Sequence, residues 1–576
     1  MNYKDRYNYW MNSDIIDEKF KTELKSIMDD SEIEDRFYKD LDFGTGGLRG
    51  VIGAGSNRMN KYTVSKATQG LADYINSNCK GNKAVAIAYD SRNKSSEFAR
   101  AAALTLCANN IKVYLYESLR PTPMLSFTVR YLNCSAGIVI TASHNPKQYN
   151  GYKVYESDGG QVTDQAAKEI LSYINKIDKY EVIKSIREED ALGNNYLQYI
   201  GEDIDKEYIK RVMGLSIRKE MVDKAAEDLK IIYTPIHGSG NLPVRAVFRE
   251  LGYKNLYVVK EQENPDGDFP TAPYPNPEDP KVFSIALDMA KEVKPDIIFG
   301  TDPDCDRIGV VVKDNTGEYK VLTGNETGML LTNYIIEALK EGQRLPENGV
   351  VVKTIVTTDS VRKMCEDNGI ELLEVLTGFK YIGEKIKEYE KSREKTFLFG
   401  FEESYGYLAG DFVRDKDAVI ASMLISEMAL YYKSLGKNLY DALIDLYDRY
   451  GYYKENLLSI ELKGIEGQKN IINCIDYFRN SEITEINNVK VNKKIDYKLS
   501  VSIDYDSKEK KSISLPKSNV IKLILQDDSW IVIRPSGTEP KMKIYLSVKG
   551  AGSKEAEFKM EKLKNYISKI IDDNLN

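Results

Sequence analysis

At 576 residues the chain is too long for one hydrophobic core, and its 42% hydrophobic, 29% charged composition is that of several folded domains of ~100–200 residues each. A net charge of -7, with acidic and basic residues interspersed, excludes the basic footprint of a nucleic-acid binder. Six cysteines without a CxxC pair and only two histidines, His144 and His237, exclude a zinc cluster or a multi-histidine metal centre, so carboxylates must carry any metal.

Met1 to Asp14 lacks the charged stub and apolar stretch of a secretory leader, and no run approaches ~18 apolar residues, so a cytoplasmic protein with no membrane partner is expected. Residues 15–40 carry mixed charge at helical spacing. The stretch from Phe43 to Gly50, Phe-Gly-Thr-Gly-Gly-Leu-Arg-Gly, is glycine-rich enough to predict an open loop rather than helix or strand. A helical pattern over Val64–Asn78 leads to short apolar runs at Ala84–Tyr89 and Ala136–Thr141, which predict buried parallel strands. The alternation repeats with strands at Leu229–Tyr233, Asn255–Val259 and Asp296–Gly300 and a helix over Asn241–Leu251. It repeats again with strands at Gly349–Val352 and Phe397–Gly400 around a helix at Asp359–Asn368. The tail predicts strands at Ser529–Arg534 and Lys543–Val548 and a last helix over Lys554–Ile571. The limits expected are 1–195, 200–320 and 321–450 for three α/β domains and 455–576 for a smaller α+β domain.

Four segments carry chemistry. Thr141-Ala-Ser-His-Asn-Pro-Lys147 presents Ser143 at the carboxyl end of a buried strand, where open α/β sheets bind ligands. Gly300-Thr-Asp-Pro-Asp-Cys-Asp-Arg307 spaces Asp302, Asp304 and Asp306 by two, so an extended segment would turn all three carboxylates to one side, as Mg²⁺ requires of hard oxygen ligands. Arg307 stands where the calcium loop of an EF-hand needs glycine, which excludes that motif. Phe401-Glu-Glu-Ser-Tyr-Gly406 places carboxylates and a hydroxyl at another strand end, suited to sugar hydroxyls. Arg534-Pro-Ser-Gly-Thr-Glu539 offers an arginine fork, two hydroxyls and a close-approaching glycine, suited to phosphate. Taken singly, each of these is also what a surface turn looks like.

In this order the four segments resemble the α-D-phosphohexomutase superfamily: a phosphoserine loop, a DxDxD metal loop, a sugar loop and a terminal phosphate loop. The match covers essentially the whole chain. Glu34-Asp-Arg-Phe-Tyr38 and Phe43-Gly-Thr-Gly-Gly-Leu-Arg49 look most like its phosphoglucomutase and phosphopentomutase branch. The resemblance implies three similar mixed-sheet α/β domains plus a C-terminal α+β domain around a central cleft. It also implies Ser143 as phosphate carrier, with Mg²⁺ bound by its phosphate and by Asp302, Asp304 and Asp306. Arg49, His144 and Lys153 match the active centre and proton transfer. Thr45, Arg307 and Lys416 match substrate-binding positions, Glu402 and Ser404 the sugar-hydroxyl pair, and Thr377 and Gly378 a turn that distinguishes two sugar orientations. Arg534, Ser536, Gly537 and Thr538 match the cradle of the phosphate that is not transferred. Phe401 replaces a glycine common in the family's sugar loop, with Gly400 one place earlier, which bears on sugar preference.

The activity implied is interconversion of glucose 1-phosphate and glucose 6-phosphate through glucose 1,6-bisphosphate, by a monomer or small homo-oligomer. Pentose and mannose phosphates are the alternative substrates, and a phosphatase is the alternative reaction. Lys153, with a lowered pKa, and His144 are the alternative general bases.

Overall fold

The computed structural model describes residues 2–44, 46–462, 464–536 and 541–575. The chain falls into two compact units, Met1–Thr327 with Phe379–Asn438, and Gly328–Gly378 with Leu439–Asn576. No described helix is long and apolar enough to cross a membrane.

The first unit opens with helices Tyr3–Asn12, Glu18–Lys25 and Asp30–Phe37, the first started by a capping box between Asn2 and Asp5. Their aromatic residues form a core of their own, in which Trp10 meets Phe20, Phe37 and Tyr62 edge-on. Six strands follow: β1 (Gly47–Val51), β2 (Ala84–Tyr89), β3 (Lys112–Tyr116), β4 (Ala136–Ile140), β5 (Tyr149–Glu156) and β6 (Leu197–Ile200). Their order in the sheet is β1-β5-β4-β2-β3-β6. The central strands are parallel and β5 runs antiparallel to both β4 and β1. Val85, Ile87, Val113, Ile138 and Ile140 are buried on this sheet, as unbroken apolar runs require.

β1 corrects the expectation of an irregular loop over residues 43–50. Gly47 to Val51 pair residue by residue with Lys153 to Tyr149. A Cβ on Gly47 would lie 2.2 Å from the Tyr152 carbonyl, so the glycine permits this strand where it was read as preventing it.

Next come β7 (Ile231–Thr234), β8 (Leu256–Val258), β9 (Ile297–Thr301), β10 (Ile308–Lys313) and β11 (Tyr319–Leu322), in the order β11-β10-β9-β7-β8. β7, β8 and β9 are parallel and the hairpin strands β10 and β11 antiparallel. The second unit then contributes the parallel pair β12 (Gly349–Thr354) and β13 (Glu371–Val375). The chain returns to the first unit for the antiparallel pair β14 (Thr396–Glu402) and β15 (Gly406–Ala409) and the buried helix Ala418–Ser434.

The rest of the second unit is an antiparallel sheet of β16 (Tyr452–Glu461), β17 (Glu485–Ile486), β18 (Val489–Asp496), β19 (Val501–Asp504), β20 (Lys510–Ser512), β21 (Ile521–Leu525), β22 (Trp530–Pro535) and β23 (Lys541–Gly550). Helices Gly464–Asn480 and Ser553–Leu575 cover it, and Phe478 and Ile567 pack with Ile531, Ile533, Ile544 and Leu546.

Candidate active site

The end of β4 delivers the loop that holds Ser143. Thr141 Oγ1 accepts the Ser143 N–H at 2.8 Å and donates to Asp90 Oδ2 at 2.6 Å. Ser143 itself lies at φ 50°, a left-handed conformation that a non-glycine residue keeps only when its surroundings hold it. Those surroundings are a single buried guanidinium. Arg92 donates to the Ser143 carbonyl at 2.5 Å, to the Asn145 carbonyl, and to those of Pro146 and Tyr149 at 3.0 and 3.1 Å. Asp90, which also accepts from Ser95 Oγ, pairs with Arg92 at 3.3 Å. Neither Asp90 nor Arg92 was found by sequence reasoning. The available signal was their position directly after the buried strand β2.

The cation loop joins β9 to β10. It is a tight turn rather than the extended segment expected. Cys305 adopts φ 52° and its N–H donates to the Asp302 carbonyl at 2.9 Å, while Asp302 Oδ1 accepts the N–H groups of Asp306 and Arg307 at 3.1 Å each. The turn achieves the predicted convergence: ligand oxygens of Asp302, Asp304 and Asp306 lie within 4.8 Å of one another, fully buried. The loop Pro235–Gly240 backs it, with Ser239 N–H and Oγ both donating to the Pro303 carbonyl, at 2.8 and 2.9 Å. A Cβ on Gly238 would sit 2.6 Å from Pro303 Cα.

The electrostatics of the trio call for a cation. Burial, then the charges of Asp304 and Asp306, push the Asp302 carboxyl well above the usual carboxylate range, and burial and Asp304 push Asp306 up. Against the upward push of burial, Lys153 and the Thr122 hydroxyl hold Asp304 down. Asp304 Oδ1 and Asp306 Oδ1 are buried with no hydrogen-bond donor among the described residues. Buried oxygens without a donor are unfavourable, and three hard oxygen ligands at one point fit a divalent metal ion.

Ser143 Oγ lies 2.7 Å from Asp302 Oδ2 and 3.1 Å from His144 Nδ1. Burial, with Arg307 and Arg49 nearby, holds the His144 imidazole well below its ordinary value, so it is neutral near pH 7. Lys153, on β5, donates to Asp304 Oδ2 at 3.1 Å and stands 3.9 Å from Asp306. Lys416 lies 3.1 Å from both Asp306 and Asp415, and Arg307 pairs with Glu278 at 2.8 Å. Arg49, exposed on β1, faces Gly151 in register and donates to Asn145 Oδ1 at 3.4 Å. Glu402, at the end of β14, is buried, and its charge acts on both Arg307 and Lys416. Ser404 follows in a turn fastened to the cation loop where Ile308 N–H donates to the Tyr405 carbonyl at 3.1 Å.

The first unit therefore gathers Ser143, His144, Arg49, Lys153, the three aspartates, Arg307, Lys416 and Glu402. Of the predicted residues that are described, four belong to the second unit. Thr377 and Gly378, the latter at φ 116°, follow β13. Arg534 lies on β22 opposite Lys543, and Ser536 N–H donates to the Lys541 carbonyl at 2.7 Å. Thr45, Gly537 and Thr538 lie outside the described residues.

Family models described as phosphoglucomutase/phosphomannomutase α/β/α domains I, II and III match residues 40–181, 206–317 and 323–450. Proteins named phosphoglucomutase from Staphylococcus epidermidis and Staphylococcus aureus are each 37% identical to the chain. The first alignment covers 94% of this chain and 96% of the relative, the second 90% and 92%. Among solved structures, a putative phosphomannomutase from Thermus thermophilus superposes with a TM-score of 0.67 at 20% identity, over 93% of this chain and 99% of the other. The Paramecium phosphoprotein parafusin does so with 0.66 at 17% identity, over 93% and 96%. At these identities the two structures speak for the fold alone. The matched domains and the relatives over nearly the full length place the chain in the phosphoglucomutase/phosphomannomutase family of the α-D-phosphohexomutase superfamily.

Proposed function

We propose that the chain interconverts glucose 1-phosphate and glucose 6-phosphate, with Ser143 carrying the phosphoryl group and glucose 1,6-bisphosphate as the intermediate. One observation carries the reading: a serine held in a left-handed turn with its hydroxyl 2.7 Å from a carboxylate of a buried aspartate trio. The curated relatives' name supports glucose as the sugar.

In the first half of the cycle the bond from Ser143 Oγ to phosphorus breaks as the sugar's free hydroxyl oxygen forms its own, and the hydroxyl proton leaves to a base of the site. In the second half the bisphosphate presents its other phosphate, Ser143 Oγ attacks it, the bond from that phosphorus to the sugar oxygen breaks, and the freed oxygen takes back a proton from the base of the site. His144, neutral and 3.1 Å away, then takes the serine proton at Nδ1. Lys153, Arg307 and Arg49 offer positive charge to the phosphoryl oxygens, and Glu402 and Ser404 hold sugar hydroxyls. Asp302, Asp304 and Asp306 would hold Mg²⁺ together with the carrier's phosphoryl group. That ion supplies neutralisation of the charge that develops during transfer. On the family resemblance, Thr377 and Gly378 distinguish the sugar orientations, and Arg534, Ser536, Gly537 and Thr538 take the phosphate that stays on the sugar. The four domain limits and a cytoplasmic setting belong to the same proposal, the latter supported by six free cysteines.

The test is conversion of glucose 1-phosphate with Mg²⁺ and a trace of glucose 1,6-bisphosphate, with Ser143→Ala alongside. Product from the natural chain and none from the variant supports the reading. Turnover only of ribose 1-phosphate or mannose 1-phosphate replaces the sugar, and release of free phosphate instead of an isomer overturns the mutase.

A further inference from the structure

Lys522, on β21 of the second unit, has a side chain only 3% exposed. It stands beside a partly exposed charge cluster made by β12, β13 and the start of the helix Ser360–Asp367, in which Lys353 alone is fully buried. Within that cluster Lys353 lies 3.2 Å from Asp359 and 2.9 Å from Glu374, and Arg362 lies 2.8 and 2.9 Å from the same two carboxylates. Two cations thus already neutralise two carboxylates. Lys522 reaches Glu374 only at 4.0 Å, a carboxylate already paired with Lys353 and Arg362, so it is a third cation beside two carboxylates. Burying an ammonium on these terms is unfavourable, and charge balance does not account for it.

Its hydrogen bond offers a different account. Lys522 Nζ donates to the Ile355 carbonyl at 2.9 Å, with the Trp530 ring 4.8 Å away. The Ile355 N–H donates in turn to the Val375 carbonyl at 2.9 Å, and Val375 stands two residues before Thr377. On its own sheet Lys522 is the register partner of Val532 on β22, two residues before Arg534. One ammonium therefore joins the root of the Thr377–Gly378 turn to the strand that carries Arg534.

We infer that Lys522 is a positioning residue, which sets the sugar-orienting turn against the phosphate-binding strand so that both engage the same sugar phosphate. This rests on the proposed mutase activity and on the roles given there to Thr377, Gly378 and Arg534. Lys522 touches no substrate. Its loss would loosen the grip on the sugar phosphate and on the bisphosphate, which must stay bound while it turns over.

The experiment compares Lys522→Met, which keeps the chain length without the donor, with Lys522→Arg, which keeps a donor and the charge, and with Arg534→Gln. KM for glucose 1-phosphate, the concentration of added glucose 1,6-bisphosphate giving half-maximal activation, kcat and melting temperature are read for each. Lys522→Met is expected to raise KM and the bisphosphate requirement about fivefold, within the reach of packed hydrogen-bond couplings, with kcat changed less than about twofold. Its melting temperature is expected to fall only modestly, because Lys353 and Arg362 still neutralise the two carboxylates, and Lys522→Arg is expected to lie closer to the natural chain. An unchanged KM and bisphosphate requirement in a folded Met variant overturns the inference, as does a fall in kcat alone. Should the Met variant not fold, Lys522→Gln is judged by the same criteria. If Arg534→Gln itself leaves KM unchanged, the role given to Arg534 fails, a result distinct from failure of the Lys522 inference.

Discussion

Ser143 Oγ donates to Asp302 Oδ2 across 2.7 Å although 159 positions separate the two residues. This bond ties the Ser143 loop to the aspartate loop, and on the proposed mutase reading it predicts the behaviour of Asp302→Asn. The amide can still meet the serine but no longer attracts a cation. Activity is expected to fall by about 10²–10³-fold, the loss typical of a group aimed at developing charge. Mg²⁺ is expected to raise the melting temperature of the natural chain, and that rise should shrink in the variant. Thermal denaturation with Mg²⁺ and with a chelator reads the second effect without any turnover.

Arg92 is the next place to cut. Arg92→Met leaves Asp90 buried without its cation and strips the donor from the carbonyls of Ser143, Asn145, Pro146 and Tyr149. A loss of about 3–5 kcal/mol in urea unfolding is expected, the usual outcome of removing one partner of a buried pair. Arg92→Lys keeps the charge without the fork and should remain folded with kcat reduced at near-natural KM, since the carrier rather than the sugar is displaced.

The pH dependence of stability has a defined contributor in Glu374. Burial would raise its carboxyl, but Lys353 and then Lys522 hold it at about 2, below an ordinary 4.5. A folded-state value depressed in this way stabilises above the ordinary pKa and is lost as pH falls from about 4.5 towards about 2. Chemical denaturation followed across that window should show falling stability in the natural chain. Glu374→Gln should be weaker near neutrality and flatter across the window.

Thiol chemistry gives an independent check on burial. Burial pushes the thiols of Cys107, Cys134 and Cys365 up to about 12 and that of Cys474 to about 11. Alkylation at pH 8, read by mass spectrometry, should therefore label half-buried Cys79 first and leave those four unmodified until the chain is denatured.

Much of this was legible in the sequence because strand ends are local events. The run Ala84–Tyr89 is β2 to the residue, and Ala136–Thr141 overshoots β4 by one. The carrier and cation loops follow their strands as read. What was missed depends on partners distant in sequence. β1 looked like a loop because its glycines have no propensity for a strand, whereas their meaning lies in the close passage of Tyr152. Asp90 and Arg92 looked like an ordinary turn because their partners stand some fifty positions on, in the loop around Ser143. The aspartates converge as expected, but through a left-handed Cys305 that no spacing rule announces. The Lys353–Glu374–Lys522 cluster gave no signal, since lysines and glutamates in strands read as solvent-facing until a second sheet covers them.

The guanidinium of Arg92 grips the carrier loop by its peptide carbonyls and leaves the serine side chain free of that grip. The hold on the loop's backbone therefore does not pass through the serine oxygen, whose own contacts are to Asp302 and His144. On the proposed mutase reading, loading and unloading of the serine would leave these backbone bonds in place.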